Sequence, residues 1–297
     1  MKIFAKLSDA GLGNKMFVWI KALICAHQNK AELFHSSWID FHPKAYLRNI
    51  TGKQRDWRFY RGIFKRQGIL KIIRLQYYKL FYKKIKEPLE SSVNINDKSL
   101  IVFWDIPRHA DFLNDFIPYR NFIKEQIFKN LSSGTYRKYQ ILPTPLISIH
   151  LRKGDLPEHM RTPNEDIIKI IAFLNKRYKT NLPYCLFVDS PPSSVADILQ
   201  IPNIHIEHTH NPMVDLLHLS KSKVIIPSII SSFSIWACFL SEAIILRHPN
   251  DKVSLPLREE NKYVDYRFDT SYIVSDDNVL QKLDEIIYQY LECGKIS

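Results

Sequence analysis

The chain has 297 residues, 45% hydrophobic, 24% charged and 12% aromatic, a balance that excludes a disordered polymer and exceeds what one small domain needs. Its 42 Lys and Arg outnumber 30 Asp and Glu, for a formal net charge of +12, which implies an anionic partner without choosing among nucleic acid, a membrane surface and a phosphorylated small molecule. Four dispersed cysteines (Cys25, Cys185, Cys238 and Cys293) with no CxxC spacing argue against a disulfide framework or zinc site, and no signal-like or membrane-length apolar run is present, so a cytoplasmic protein is expected.

The first predicted strand lies in "MKIFAKL". The turn "SDAGLGNKM" follows it and leads into helical spacing over "MFVWIKALICAHQNK". Gly11 and Gly13 lack the third glycine of GxGxxG and are no dinucleotide fingerprint. They leave two readings open: a tight turn, or backbone that can approach a ligand just before a helix N-terminus. From Gly52 to Lys86 there are twelve Lys or Arg and a single acid, Asp56, with aromatics interleaved from Trp57 to Tyr82. This composition fits a solvated helical insertion, contact with an anionic membrane through residues 53–86, or a nucleic-acid surface. The solvated insertion and membrane contact both stay open here, and nucleic acid is not expected.

"SLIVFWD" is the next strand, residues 107–131 read as helical, and "LSSGTYRKYQILPTP" reads as a boundary because of its turn residues and lack of periodicity. Strands "LISIH", "YCLFV", "IHIEH", "VIIP" and "IILR" then alternate with helices "NEDIIKIIAFLNKRY", "SVADILQ", "MVDLLHLSKS" and "SIWACFLSEA". Such alternation predicts a parallel, Rossmann-like sheet covered on both faces. The C-terminal "DDNVLQKLDEIIYQYLEC" reads as an amphipathic helix.

In an open parallel sheet, ligands bind beyond the carboxyl ends of the strands. That rule selects three loops: "HLRKGD", "DSPPSS" and "PSIISSFS". They offer the cations Arg152 and Lys153, the hydroxyls of Ser190, Ser228, Ser231, Ser232 and Ser234, and the carboxylate of Asp189. Cations, hydroxyls and helix N-terminal amides suit a diphosphate, and a carboxylate on a neighbouring strand end suits a ribose or base edge. Each piece also has an ordinary structural reading, as a core histidine at His150, an ion pair between Arg152 and Asp155, a helix cap at Ser231 to Ser234, or a turn at Asp189. His205, His208 and His210 lie close in sequence, but 205 and 208 face opposite sides of an extended strand, and no metal is expected.

Taken together, "DAGLGNKMF", "ISIHLRKGD" and "DLLHLSKSKVIIPSIISSFSIWACFL" resemble, in the same order, the GGLGNQMF, HxRRGD and SNSSFSWWAAWL segments of the alpha-1,2-fucosyltransferases of glycosyltransferase family 11. More distantly they resemble the wider fucosyltransferases that share an HxRRxD signature. The resemblance implies an α/β, GT-B-like fold of two facing Rossmann-like domains with parallel sheets. Residues 1–140 would form the acceptor-side domain, with the basic-aromatic insertion at about 52–88, and residues 141–297 would hold the nucleotide sugar. It implies GDP-fucose as donor, no metal, inversion at the anomeric carbon, and a galactose 2-hydroxyl as acceptor. The acceptor glycan would be a cell-surface polysaccharide or an O-antigen repeat precursor, lipid-linked at the inner membrane face.

By motif position, Arg152 would meet the diphosphate beside His150 and Lys153, and Ser231, Ser232 and Phe233 would line the donor pocket. Gly11, Gly13 and Asn14 would approach from the other wall, and Asp189 with Ser190 would reach the guanine or ribose. Glu158 is the expected proton acceptor, while Asp155 orients Arg152 or caps the loop. Lys153, Lys15, Ala10 and Ile235 depart from the family pattern; Lys153 keeps the charge of an arginine but loses its planar fork. The rival expectations are a GT-B enzyme using another nucleotide sugar and a non-catalytic basic protein binding RNA or membrane.

Overall fold

The computed structural model describes residues 1–7, 10–39, 50, 60–87, 96–107, 113–154, 156–253, 257–259 and 262–293. Short apolar runs become strands, and the strands sort into two sheets whose pairings are all parallel. The first holds β1 (Lys2–Ala5), β2 (Glu32–His35), β3 (Lys83–Lys86) and β4 (Ser99–Phe103) in the order β2-β1-β4-β3. The second holds β5 (Ile147–Leu151), β6 (Tyr184–Val188), β7 (Ile204–Ile206), β8 (Val224–Ile226), β9 (Ile244–Arg247) and β10 (Asp265–Arg267) in the order β10-β9-β8-β5-β6-β7. In the second sheet the chain builds outward from β5 in one direction, then returns to β8 and builds in the other. This is the doubly wound Rossmann order, and its switch point lies between β5 and β8. The first sheet reverses between β1 and β4.

Helices cover both sheets: α1 (Leu12–Gln28), α2 (Ile69–Phe81), α3 (Arg120–Asn130), α4 (Ser133–Gln140), α5 (Asn164–Tyr178), α6 (Pro212–Lys221), α7 (Ser232–Leu240) and α8 (Asp277–Cys293). Alternation within each strand assigns its side chains to the two faces. From β5, Ile147, Ile149 and Leu151 join an apolar cluster with Ile167 and Ile171 of α5 and Leu283 of α8. On the other face, Ile225 of β8 and Phe187 of β6 join a larger cluster that runs through α6 and α7 to α1 and on to Ile3 and Ile101 of the first sheet. The outer face of the first sheet is covered by α2 through Leu75, which packs on Phe4, Phe34, Leu100 and Val102. The fold class is therefore the α/β class of two facing, parallel-sheet halves.

The inner helices are also tied by polar contacts. Arg120 of α3 is buried and holds the far end of α7: its guanidinium donates to the carbonyls of Phe239 and Ser241, both at 2.6 Å, and to the Tyr263 hydroxyl at 2.6 Å. Midway along α7, Trp236 Nε1 donates to the Gly13 carbonyl of α1 at 2.9 Å, and its ring lies 4.8 Å from that of Phe17.

Some elements differ from the sequence reading. The stretch read as an aperiodic boundary contains α4, whose N-cap Ser132 accepts from the Thr135 amide. Lys221 of α6 donates to the Tyr139 and Leu142 carbonyls, so this connection is docked. The segment read as a helix near "SVADILQ" forms two 3-10 turns, Pro192–Val195 and Ile198–Gln200. Residues 83–86, within the expected insertion, are an edge strand of the first sheet, while residues 52–59 and 88 of that insertion lie outside the described residues. Among the described residues no helix is long and apolar enough to cross a membrane.

Candidate active site

At the switch point of the second sheet, the loops leaving β5 and β8 are bound to each other. The Arg152 amide donates to Ser228 Oγ at 3.1 Å, and Ser228 Oγ lies 3.2 Å from Thr162 Oγ1, which accepts from the Ile229 amide at 3.0 Å. The Arg152 guanidinium, half-buried, donates through Nη1 to the Ile230 carbonyl at 3.2 Å. Ile230 itself sits at φ 51°, a left-handed conformation costly for a β-branched residue. Backbone in such regions persists where surrounding contacts hold it, and the Arg152 bond is one of them.

Helix α7 begins at this spot. Ser231, fully buried, is its N-cap and accepts from the Ser234 amide. The amides of the first turn, at Ser232 and Phe233, have no acceptor within the helix and carry its positive end. Ser234 Oγ accepts from the Ser228 amide at 3.3 Å and lies within hydrogen-bond distance of His150 Nδ1, 2.6 Å away. Burial, and secondarily the Arg152 charge, push the imidazole down to about 3. Its ring stacks on Phe233, with centroids 5.0 Å apart.

The N-terminus of α1 meets the N-terminus of α7. A Cβ added at Gly13 would fall 2.6 Å from Ser232 Oγ, 2.7 Å from the Ser232 carbonyl carbon and 2.9 Å from the Phe233 amide nitrogen. The close approach that this glycine permits is thus taken by the backbone of α7. Gly11, the N-cap, has an ordinary φ of −61°, and a Cβ there would lie 4.0 Å from the Tyr60 hydroxyl. Asn14 follows half-buried, and Lys15 is fully buried with its ammonium 5.9 Å from the Tyr60 ring centre.

The structure therefore brings together His150, Arg152, Ser231, Ser232, Phe233, Gly11, Gly13 and Asn14. It places other expected residues differently. Lys153 is buried, its ammonium turned inward to the Thr162 carbonyl at 3.2 Å, and burial lowers its pKa. Asp189 Oδ1 accepts the amides of Lys153 and Gly154 at 2.7 and 2.8 Å, fastening the loop after β5. The reason is register: Leu151 pairs with Val188, so the first amides beyond β5 fall against the carboxylate beyond β6. Ser190 is buried and bonded to Ser194 Oγ at 2.6 Å. Glu158 stands exposed on a 3-10 turn, Glu158–Met160, and Asp155 lies outside the described residues.

Thr162 and Tyr60 also belong to this site though no motif marks them, as does Trp236, which the third motif contains without giving it a role. Their partners are distant in sequence: Thr162 and Ser228 are 66 residues apart, Trp236 and Gly13 are 223. Away from the cleft, Cys185, His205 and Glu207 form a group of potential metal ligands, their donor atoms within 4.8 Å of one another. Cys185 Sγ and His205 Nε2 are 3.1 Å apart across paired positions of β6 and β7, and burial raises the thiol to about 11. His208 turns elsewhere, its Nδ1 3.4 Å from Asp215.

Chemically, the switch point combines a guanidinium, buried hydroxyls and two converging helix N-termini. Such a set stabilises an oxyanion with charge and oriented amides.

No family model matches the chain, and no curated protein matches its sequence. Among solved structures it is similar to the NodZ alpha-1,6-fucosyltransferase, soaked with GDP-fucose, at 11% identity and a TM-score of 0.48, over 85% of this chain and 96% of that one. It is also similar to an Arabidopsis thaliana FUT1 mutant in complex with GDP, at 15% identity and a TM-score of 0.49, over 88% and 72% of the two chains. A third likeness is to the E. coli heptosyltransferase WaaC with ADP, at 12% identity and a TM-score of 0.47, over 96% and 99%.

Proposed function

We propose that the chain is a metal-independent, inverting glycosyltransferase that moves fucose from GDP-fucose to a galactose hydroxyl of a glycan. The observation that carries this reading is the joining of Arg152, Ser231, Ser232 and the first turn of α7 at the β5–β8 switch point. A nucleoside diphosphate laid there would place its phosphates on the positive end of α7 and beside the guanidinium. The three family-11-like motifs support fucose and guanine as the donor's parts.

In this reaction the acceptor oxygen forms a bond to the anomeric carbon while the bond from that carbon to the β-phosphate oxygen breaks. The acceptor's proton passes to a base, and GDP leaves carrying the electron pair. Negative charge grows on the departing phosphate, so fixed cationic and amide donors lower the barrier. Arg152 is the residue proposed for that work, with Ser232 and the Phe233 amide beside it. Glu158 is the described carboxylate on the loop after β5 and the proposed proton acceptor. Asn14 is proposed on the acceptor side. His150, neutral, orients Ser234 and carries Phe233.

Thermal-shift titration with GDP, UDP, ADP and CMP tests the donor. GDP alone should raise the unfolding temperature in a concentration-dependent way. Stabilisation by ADP or UDP without GDP would replace the donor, and none by any nucleotide would reject the reading. Turnover of GDP-fucose with a galactoside panel, followed by mass, tests the reaction. Arg152→Ala should lose about 10²- to 10³-fold in rate; full activity in the folded variant would refute its role.

A further inference from the structure

Helix α2 has two apolar faces, and among the described residues only one is covered. Toward the sheet it presents Leu75, buried, and the half-buried Tyr78, packed on Phe4, Phe34, Leu100 and Val102. At a helical rotation of about 100° per residue, Ile69, Leu70, Ile73, Tyr77, Leu80 and Phe81 fall on an arc of roughly 120° pointing away from Leu75. Ile69, Leu70, Leu80 and Phe81 are 76%, 78%, 78% and 67% exposed. A helix in a folded protein that spends so many large apolar side chains on solvent marks an interaction surface.

Cations outnumber acids around this ridge, where Glu32 of β2 is paired with Arg74 at its border. No Asp or Glu occurs between Arg61 and Lys86. Lys65, Arg66, Arg74, Lys83, Lys84 and Lys86 are exposed along the two ends and flank of the ridge. Lys71 and Lys79 lie over the rings of Phe34 and Phe4 at 5.5 and 4.5 Å, so their stems line the border between ridge and sheet. An apolar strip of Ile, Leu, Tyr and Phe bordered by cations is the pattern of a helix lying in the headgroup region of an anionic bilayer. Nucleic acid fits less well, because stacking needs flat aromatic faces and four of the six ridge residues are aliphatic.

We propose that α2, with the β3 lysines, docks the protein on an anionic lipid surface, with the apolar ridge inserted among the acyl chains and the cations at the headgroups. Gln67, just before the helix, donates to the His35 carbonyl at the carboxyl end of β2. The helix therefore starts at the sheet edge that faces the cleft. The proposal is independent of the reaction proposed above, since vesicle binding needs neither donor nor acceptor.

Co-sedimentation of the full chain with vesicles tests it. The protein should bind phosphatidylcholine–phosphatidylglycerol vesicles, bind phosphatidylcholine alone more weakly, and be released by salt from the mixed vesicles in part only. Ile73→Glu with Leu80→Glu should weaken binding to mixed vesicles about tenfold or more, with unchanged thermal unfolding because the side chains are exposed. Lys83→Glu with Lys84→Glu, an independent pair, should weaken it about tenfold or more and remove the salt dependence that those cations supply. Wild-type affinity in both variants would overturn the proposal. So would a solution dimer that Ile73→Glu with Leu80→Glu dissociates without any change in vesicle binding, or binding of single-stranded RNA in place of vesicles.

Discussion

Gly13 and His150 show how single residues set the cleft. At Gly13 the obstacle to any side chain is backbone, at 2.7 and 2.9 Å, so neither helix can yield by turning a rotamer. Gly13→Ala should therefore destabilise the protein by about 1 to 3 kcal/mol, as overpacking does. Gly11→Ala, whose added Cβ would meet its nearest neighbour only at 4.0 Å, should cost less. Urea denaturation of both variants measures the difference, and equal stabilities would mean the helices are not in contact. His150 makes a second prediction through pH. Its folded pKa, about 3, lies below that of the unfolded chain, so between those values the unfolded state binds the extra proton. Stability should fall as pH drops below about 6.5, by at most roughly 1.4 kcal/mol per unit from this group. Burial lowers His35 and His218 in the same direction, so they add to the slope. His150→Gln should flatten the acid limb in denaturation at pH 7 and pH 5; an unchanged slope would assign it to the other two.

At the scale of elements, what could be read from the sequence was what burial writes into it. β5, β6 and β9 are buried at every position, and each appears as a mainly apolar run, broken in β5 by Ser148 and His150 and closed in β9 by Arg247. β2, β3 and β10 escaped notice because they are short and lie at sheet edges. In "KKIK" of β3 only Ile85 is buried, and lysines on an edge strand discourage further pairing rather than announce a strand. α4 was missed for the same kind of reason: "SGTYRKYQ" buries only Thr135, and its cap, Ser132, looks like any turn serine. The candidate site was legible where it depends on strand ends. Arg152, Ser231 and Ser232 follow from the rule that ligands gather beyond the carboxyl edge, and Phe233 from the resemblance. The inward turn of Lys153 was not legible, because a flexible four-carbon stem can carry its ammonium to a ligand or to the Thr162 carbonyl. Nor was the Trp236 bond to Gly13, which exists only once two helices 223 residues apart are packed.

The whole molecule divides by sheet but not by core. One apolar cluster joins Ile3 and Ile101 of the first sheet to Ile225 and Ile245 of the second, through Phe17, Phe116 and Trp236. Chains of this length commonly unfold in parts, yet separating these halves would expose the aromatic centre of the cluster. Calorimetry should show one cooperative transition whose calorimetric and van't Hoff enthalpies agree; two resolved peaks would disprove the coupling. Helix α7 carries a further consequence. By chain order it belongs with the second sheet, yet the first half grips it along its length, through Gly13 against Ser232 at the start and Trp236 midway, and through Arg120 at the finish. A chimera that grafts residues 141–297 onto a foreign partner would strip α7 of both grips, leaving a bare Trp236 flank and an unanchored serine turn. The part of the chain proposed to hold the anion is thus not portable: its inheritance, by recombination or by engineering, has to include the helix that begins at Leu12.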